Sequence, residues 1–237
     1  MKKIFKTILK ILLTIGLLLL LTFGVVYFIY NEAVPEVNPS PEADMYANKM
    51  LNSLNYEAYK NTRFLEWSFR NGAHRYFWDK KSGIVNVSWK NYKVDLYLSD
   101  IEKSSVSNNN TLVEGNEKKI LIKKASVYFN NDSFWLVAPF KVFDKGTQRS
   151  IITKEDGTRG LLVNYTEGGD TPGDTYLWHL EQDGTPISYQ MWTNIIPIGG
   201  IEATWEQWTE MESGVLLPIS HELGPVTLDM GAVKAYN

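Results

Sequence analysis

Apolar positions along this chain fall into a solid block, a short helical stripe and a long series of alternating segments. The block is Ile11 to Tyr30 (ILLTIGLLLLLTFGVVYFIY), twenty residues without a charge, directly behind Lys2, Lys3, Lys6 and Lys10. At about 1.5 Å of rise per residue, such a helix spans the ~30 Å hydrocarbon core of a bilayer. The four basic residues before it keep the N-terminus cytoplasmic and send the remainder outward. A cleaved secretory signal is the competing reading, but signal h-regions run about 7–15 residues and end at a small-x-small site. This run ends in Tyr27, Phe28, Ile29 and Tyr30. An uncleaved anchor (residues 1–30) in the inner membrane is therefore expected, with the remainder periplasmic or otherwise extracytoplasmic.

Asn31 to Pro41 (NEAVPEVNPSP) has three prolines and no helical or strand period, so it reads as a semi-rigid stalk. Ser40, Pro41 and Glu42 form a helix start, and Ala43, Ala47, Met50, Leu51 and Leu54 recur at helical spacing, which predicts a helix over 41–54.

Alternating segments follow. Phe64–Arg70 and His74–Asp79 flank Asn71-Gly72, a strong short hairpin signal. Ile84–Trp89 and Tyr92–Ser99 come next; in the latter Tyr92, Val94, Leu96 and Leu98 alternate with Lys93, Asp95 and Tyr97, as in a strand wet on one face. The polar patch Ser104–Asn110 reads as a loop. Glu117–Phe129 has a helical period, and Phe134–Phe143 (FWLVAPFKVF) reads as an apolar strand that Pro139 confines to an edge or bend. Turns at Asp156-Gly157, Asp183-Gly184, Gly199-Gly200, Ser213-Gly214 and Gly224-Pro225 then separate further strands. The sum is an α+β chain: one transmembrane helix, then about 11–12 antiparallel strands expected to curl into a curved half-barrel over residues 42–237. Its helical lid would be 41–54 or 117–129.

Composition narrows the function. All 27 acidic residues but only 20 of the 24 basic ones lie beyond Tyr30, so the exported part carries −7. That argues against nucleic acid and against tight docking on anionic headgroups. The chain has no cysteine, hence no disulfide, thiol nucleophile or lipidated N-terminal Cys. His74, His179 and His221 lack any ligand spacing, and there is no GxSxG elbow or phosphate-cradling glycine loop. No catalytic residue, cofactor or metal is assigned. Asp170 and Asp174 suit a calcium ion by type, but Asp beside Gly and Pro is ordinary turn chemistry.

The eight tryptophans fall almost one per strand. Trp67, Trp78, Trp89, Trp178, Trp192, Trp205 and Trp208 are the candidates for lining a cavity that binds a lipid chain, while core packing is the simpler account of any single one of them. Trp205 and Trp208, three apart in one expected strand, should face opposite sides, putting one at a cavity or rim.

The order of elements, with Asn131–Asp144 (NDSFWLVAPFKVFD) and Thr171–Gly200 (TPGDTYLWHLEQDGTPISYQMWTNIIPIGG), resembles the LolA/LolB-like lipoprotein-carrier superfamily of Gram-negative envelopes. That resemblance implies an open curved sheet whose concave face, under helices, holds acyl chains. The absent cysteine and the retained helix depart from the family pattern and favour a fixed protein over a shuttle.

The leading expectation is a membrane-anchored envelope protein that binds a lipid or an acylated lipoprotein in a hydrophobic cavity. The alternative is a structural or sensor module that contacts another envelope protein. A glycan-binding or hydrolytic β domain, using acids such as Glu206 or Asp174, ranks below both.

Overall fold

The computed structural model describes residues 2–168 and 171–237, with side chains from Ile4 onward. Helix α1 (Lys2–Tyr30) contains one apolar stretch, Ile4–Tyr30, long enough to cross a membrane, and none of its apolar window is buried against the protein. Helix α2 (Pro41–Ser53) begins as its sequence predicts, with the Ser40 hydroxyl accepting from the Ala43 N–H at 3.2 Å and Pro41 in the first turn. A short helix α3 (Tyr56–Asn61) follows.

The meander forms as expected: β1 (Phe64–Phe69), β2 (His74–Asp79), β3 (Ile84–Trp89) and β4 (Tyr92–Tyr97) pair antiparallel in sequence order. Most of the patch read as a loop is instead a fifth strand, β5 (Ser105–Asn108), and its Asn109 and Asn110, at positive φ, turn the chain into a sixth, β6 (Thr111–Leu112). Asparagine tolerates that conformation, so the polar run makes a tight turn.

Helix α4 (Gly115–Val137) is longer than expected. It takes in Phe134–Val137 of the segment read as an edge strand and passes into a 3₁₀ turn, Ala138–Lys141, which has Pro139 in its first turn. A proline there needs no N–H, so it ends one helix and opens the next short turn.

The second half forms β7 (Thr147–Thr153), β8 (Arg159–Tyr165), β9 (Thr175–Leu180), β10 (Pro186–Trp192) and β11 (Ile201–Thr204), a five-stranded antiparallel sheet in the order β11-β10-β9-β8-β7. Two hairpins follow, β12 (Trp208–Glu210) with β13 (Leu216–Pro218) and β14 (Ser220–Leu223) with β15 (Val226–Asp229). Last, β16 (Lys234–Tyr236) returns to pair with β1, giving a seven-stranded sheet in the order β16-β1-β2-β3-β4-β5-β6.

The expected half-barrel is therefore not formed. Among the described residues sixteen strands make four open sheets, none closed on itself. Curling is unnecessary because the two large sheets share one core, with α4 as common cover. Phe129 meets Trp67 and Trp78 of the seven-stranded sheet, while Phe134 meets Tyr165 and Tyr176 of the five-stranded one.

The expected lids are also fixed parts of the fold. Helix α2 buries Ala43, Ala47, Met50 and Leu51 and is pinned by Asp44–Arg149 and Glu42–Arg159 ion pairs. Helix α4 is pinned from inside: its buried Asp132 accepts from Tyr76 Oη at 2.5 Å and pairs with His74 Nδ1 at 2.6 Å. His74 also stacks on Tyr128, one turn earlier on the helix, with 4.0 Å between ring centroids.

Removing one partner of such a buried cluster strands the others without an acceptor. Asp132→Ala should therefore lower unfolding stability by roughly 3–5 kcal/mol, read by urea denaturation. A loss under 1 kcal/mol would mean that α4 does not depend on this contact.

Candidate functional site

The five-stranded sheet turns Leu161, Val163, Tyr176, Trp178, Tyr189 and Met191 inward, all buried. Trp178 meets Tyr189 edge-on at 5.0 Å and Trp205 at 5.0 Å. On the other sheet Trp67 stacks on Tyr76 at 4.6 Å, and Trp89 meets Tyr128 edge-on. The space in which an acyl chain was expected is thus occupied by the protein's own rings. Among the described residues the indole nitrogens of Trp67, Trp78 and Trp178 have no acceptor, so packing alone holds these rings.

Of the seven tryptophans singled out in the sequence, Trp67, Trp89, Trp178, Trp192 and Trp205 are buried, and Trp78 and Trp208 are half-buried. Trp192 lies on the outer face of its sheet, in a small cluster with Leu162 and Leu177. Trp205 and Trp208 are not on opposite faces. The expected strand breaks between β11 and β12, so the two rings lie 5.8 Å apart on one side, and Trp208 Nε1 donates to the Pro186 carbonyl.

The acids singled out in the loop before β9 serve the fold. Asp174 accepts from Thr171 Oγ1 at 2.5 Å and the Asn194 N–H at 3.0 Å, which is loop-fastening chemistry; Asp170 lies outside the described residues. No three of His, Asp and Glu converge as a metal site among the described residues. His179, Ser188 and Glu202 do meet on the outer face of the five-stranded sheet. The Ser188 hydroxyl bonds to Glu202, and both groups approach the same ring nitrogen: His179 Nδ1 lies 2.9 Å from Ser188 Oγ and 3.5 Å from Glu202. In a nucleophilic triad the ring bridges its partners through both nitrogens. Among the described residues Nε2 is buried without a partner, so the ring relays nothing between them.

Lys80, whose pKa burial pulls down to about 8, lies over the Tyr59 ring and donates to the Tyr59 carbonyl, which makes it a bracket for α3. His221 sits between two carbonyls, with Nδ1 2.8 Å from Thr204 O and Nε2 2.7 Å from Trp135 O. Protonation would let both nitrogens donate, but burial among Trp135 and Trp205 outweighs this and lowers the pKa.

What the structure offers outward is different. One groove of about 420 Å³ runs along β12 and the edge strand β16, and another of about 460 Å³ lies between the β5–β6 turn and the start of α4; both are open. Beside the second, α4 exposes Lys119, Ile120, Lys123, Lys124 and Val127, with Lys118 half-buried. Among the described residues these four lysines form no ion pair within the chain, apart from Lys124 lying 5.5 Å from the Tyr128 ring. The exposed face is basic and apolar on a domain of net charge −7. The sequence signal was the KKILIKK run, which a helical reading places partly in the core and partly in solvent.

No family model matches the chain, and no curated protein matches it. Among solved structures it is similar to a DUF1329 family protein from Desulfovibrio piger, at 9% identity and a TM-score of 0.41, covering 83% of this chain and 93% of that one. A likeness that slight carries no argument.

Burial also lowers the His179 pKa, so both rings take up a proton less readily in the fold than in the unfolded chain. The unfolded chain then binds more protons once pH drops below about 6.5, and stability is lost as pH falls. The thermal midpoint should decline between pH 7 and 5 and decline less in His179→Gln/His221→Gln. The carboxylate Asp79, held down to about 2 by Arg63, titrates below this window. A midpoint that rises toward pH 5 would mean that the carbonyl contacts of His221 outweigh its burial.

Proposed function

We propose that this chain is a single-pass envelope protein, anchored in the inner membrane by α1, whose extracytoplasmic domain works by contacting another envelope protein. The observation that carries this reading is the filled interior. With Trp178, Trp205 and Tyr189 fully buried against one another and α4 in the shared core, ligand recognition falls to the outer surface. The basic and apolar face of α4 is the strongest feature there. Exposed apolar residues within a patch of one charge suit a protein surface of acidic character. The basic residues ahead of Ile11 support the orientation, with the domain on the far side from the cytoplasm.

Two measurements test it. The portion from Asn31 onward, purified without detergent, should fly in native mass spectrometry at its bare mass; a retained lipid adduct would return the carrier reading. In envelope membranes, a photo-crosslinker at Ile120 or Val127 should give one discrete larger product that disappears with Lys119→Glu/Lys123→Glu. No product from either position would end the proposal.

A further inference from the structure

The segment after α1 does not hang free. Asn31 continues the helix, its N–H donating to the Tyr27 carbonyl at 2.9 Å. Its side-chain oxygen accepts from the Gly199 N–H at 2.9 Å, and the Glu32 N–H donates to the Gly199 carbonyl at 3.0 Å. The Glu32 carbonyl accepts from Trp192 Nε1 at 3.0 Å, and the Glu32 carboxylate from Gln190 Nε2 at 3.1 Å. The fit leaves no room for side chains. A Cβ on Gly199 would stand 2.4 Å from Trp192 Cδ1, and one on Gly200 (φ +80°) 2.8 Å from Glu32 Cβ. The β10–β11 loop is therefore clamped to the end of the apolar helix.

From that clamp the chain climbs the outer face of the five-stranded sheet. Val37 packs on Leu162, Leu177 and Trp192, and Glu42 reaches Arg159 at the opposite end of β8. So the end of the sheet that carries the β10–β11 loop lies beside Tyr30, while the β7–β8 turn with Glu155 lies at the far end. Six residue steps of strand, at about 3.3 Å each, separate those ends by roughly 20 Å.

The clamped loop, Thr193–Gly200 (TNIIPIGG), has no charge. Ile196 packs against the core, but Ile195 is 66% exposed and Pro197 is exposed too. Glu32, two residues past Tyr30, lies about 3 Å beyond it at helical rise, so its hydrogen-bonded partner sits at the same level. Ile195 is four residues from Gly199, within about 14 Å of chain. We infer that the Thr193–Gly200 loop is a membrane-contacting element, whose Ile195 and Pro197 enter the interfacial layer of the bilayer around α1. This rests on the reading of α1 as a membrane span. An uncharged loop also suits a domain whose net charge repels anionic headgroups.

The absence of cysteine makes single-site labelling direct. The full chain, reconstituted in phosphatidylcholine nanodiscs, would carry an environment-sensitive fluorophore at Phe28→Cys, Ile195→Cys or Glu155→Cys in separate samples. Lipid bearing a doxyl quencher near the headgroup end of its acyl chain reports contact. Quenching at residue 195 should be several-fold stronger than at 155 and comparable with that at 28. Quenching at 28 without 195 overturns the loop contact and leaves the span standing. No quenching at 28 overturns the span and the inference with it. Equal quenching at 195 and 155 overturns the upright placement that the inference requires. With the fluorophore at Pro197→Cys, the exposed substitution Ile195→Asp should reduce quenching several-fold; unchanged quenching would remove Ile195 from the contact.

Discussion

Two open sheets, each with one apolar face, have to hide those faces from water, and α4 is how this chain does it. The middle of the helix lays Tyr128 and Phe129 against the seven-stranded sheet, and its last turns lay Phe134 and Trp135 against the five-stranded sheet and His221. Burial of this size is the main favourable term in folding. The Asp132–His74–Tyr76 cluster adds direction to it, because a buried carboxylate has few acceptable positions. Register along α4 is thereby tied to the first sheet, which in turn places its final turn against the second.

The same constraint determines what kind of function the fold allows. A carrier of acyl chains needs an apolar hollow and a cover that can open. Here the cover is the core, and α2 is held by ion pairs to Arg149 and Arg159. What the fold leaves accessible is surface: the lysine-rich face of α4, the grooves along strand edges, and the loop beside α1. Clamping of Glu32 to Gly199 has a mechanical consequence as well. A domain joined to its apolar N-terminal helix by several hydrogen bonds holds its other faces in a fixed position relative to that helix, which a free linker would not do.

Local signals were readable where chemistry is local. Asn71-Gly72 gave its hairpin, β4 its alternation and Ser40 its cap, because each depends on residues a few positions apart. Phe134–Phe143 misled because a ten-residue apolar run carries no period, and Pro139 is as acceptable in a first helical turn as at a sheet edge. Asn109 and Asn110 were read as loop composition, whereas their left-handed backbone makes a tight reversal. For Trp205 and Trp208, alternation failed because the strand breaks between them.

The charge-free run behind four lysines, the missing cysteines and the turn-separated strands follow from the amino-acid order alone, since each reflects solvent preference or short-range geometry. Whether those strands close into a hollow or divide around a helix does not. That choice turns on volumes meeting across more than a hundred residues: Trp67 against Phe129, Trp178 against Trp205, Glu32 against Gly199. Close packing decides it, because an interior admits one set of neighbours at full density, and the neighbours are known only once the chain is folded.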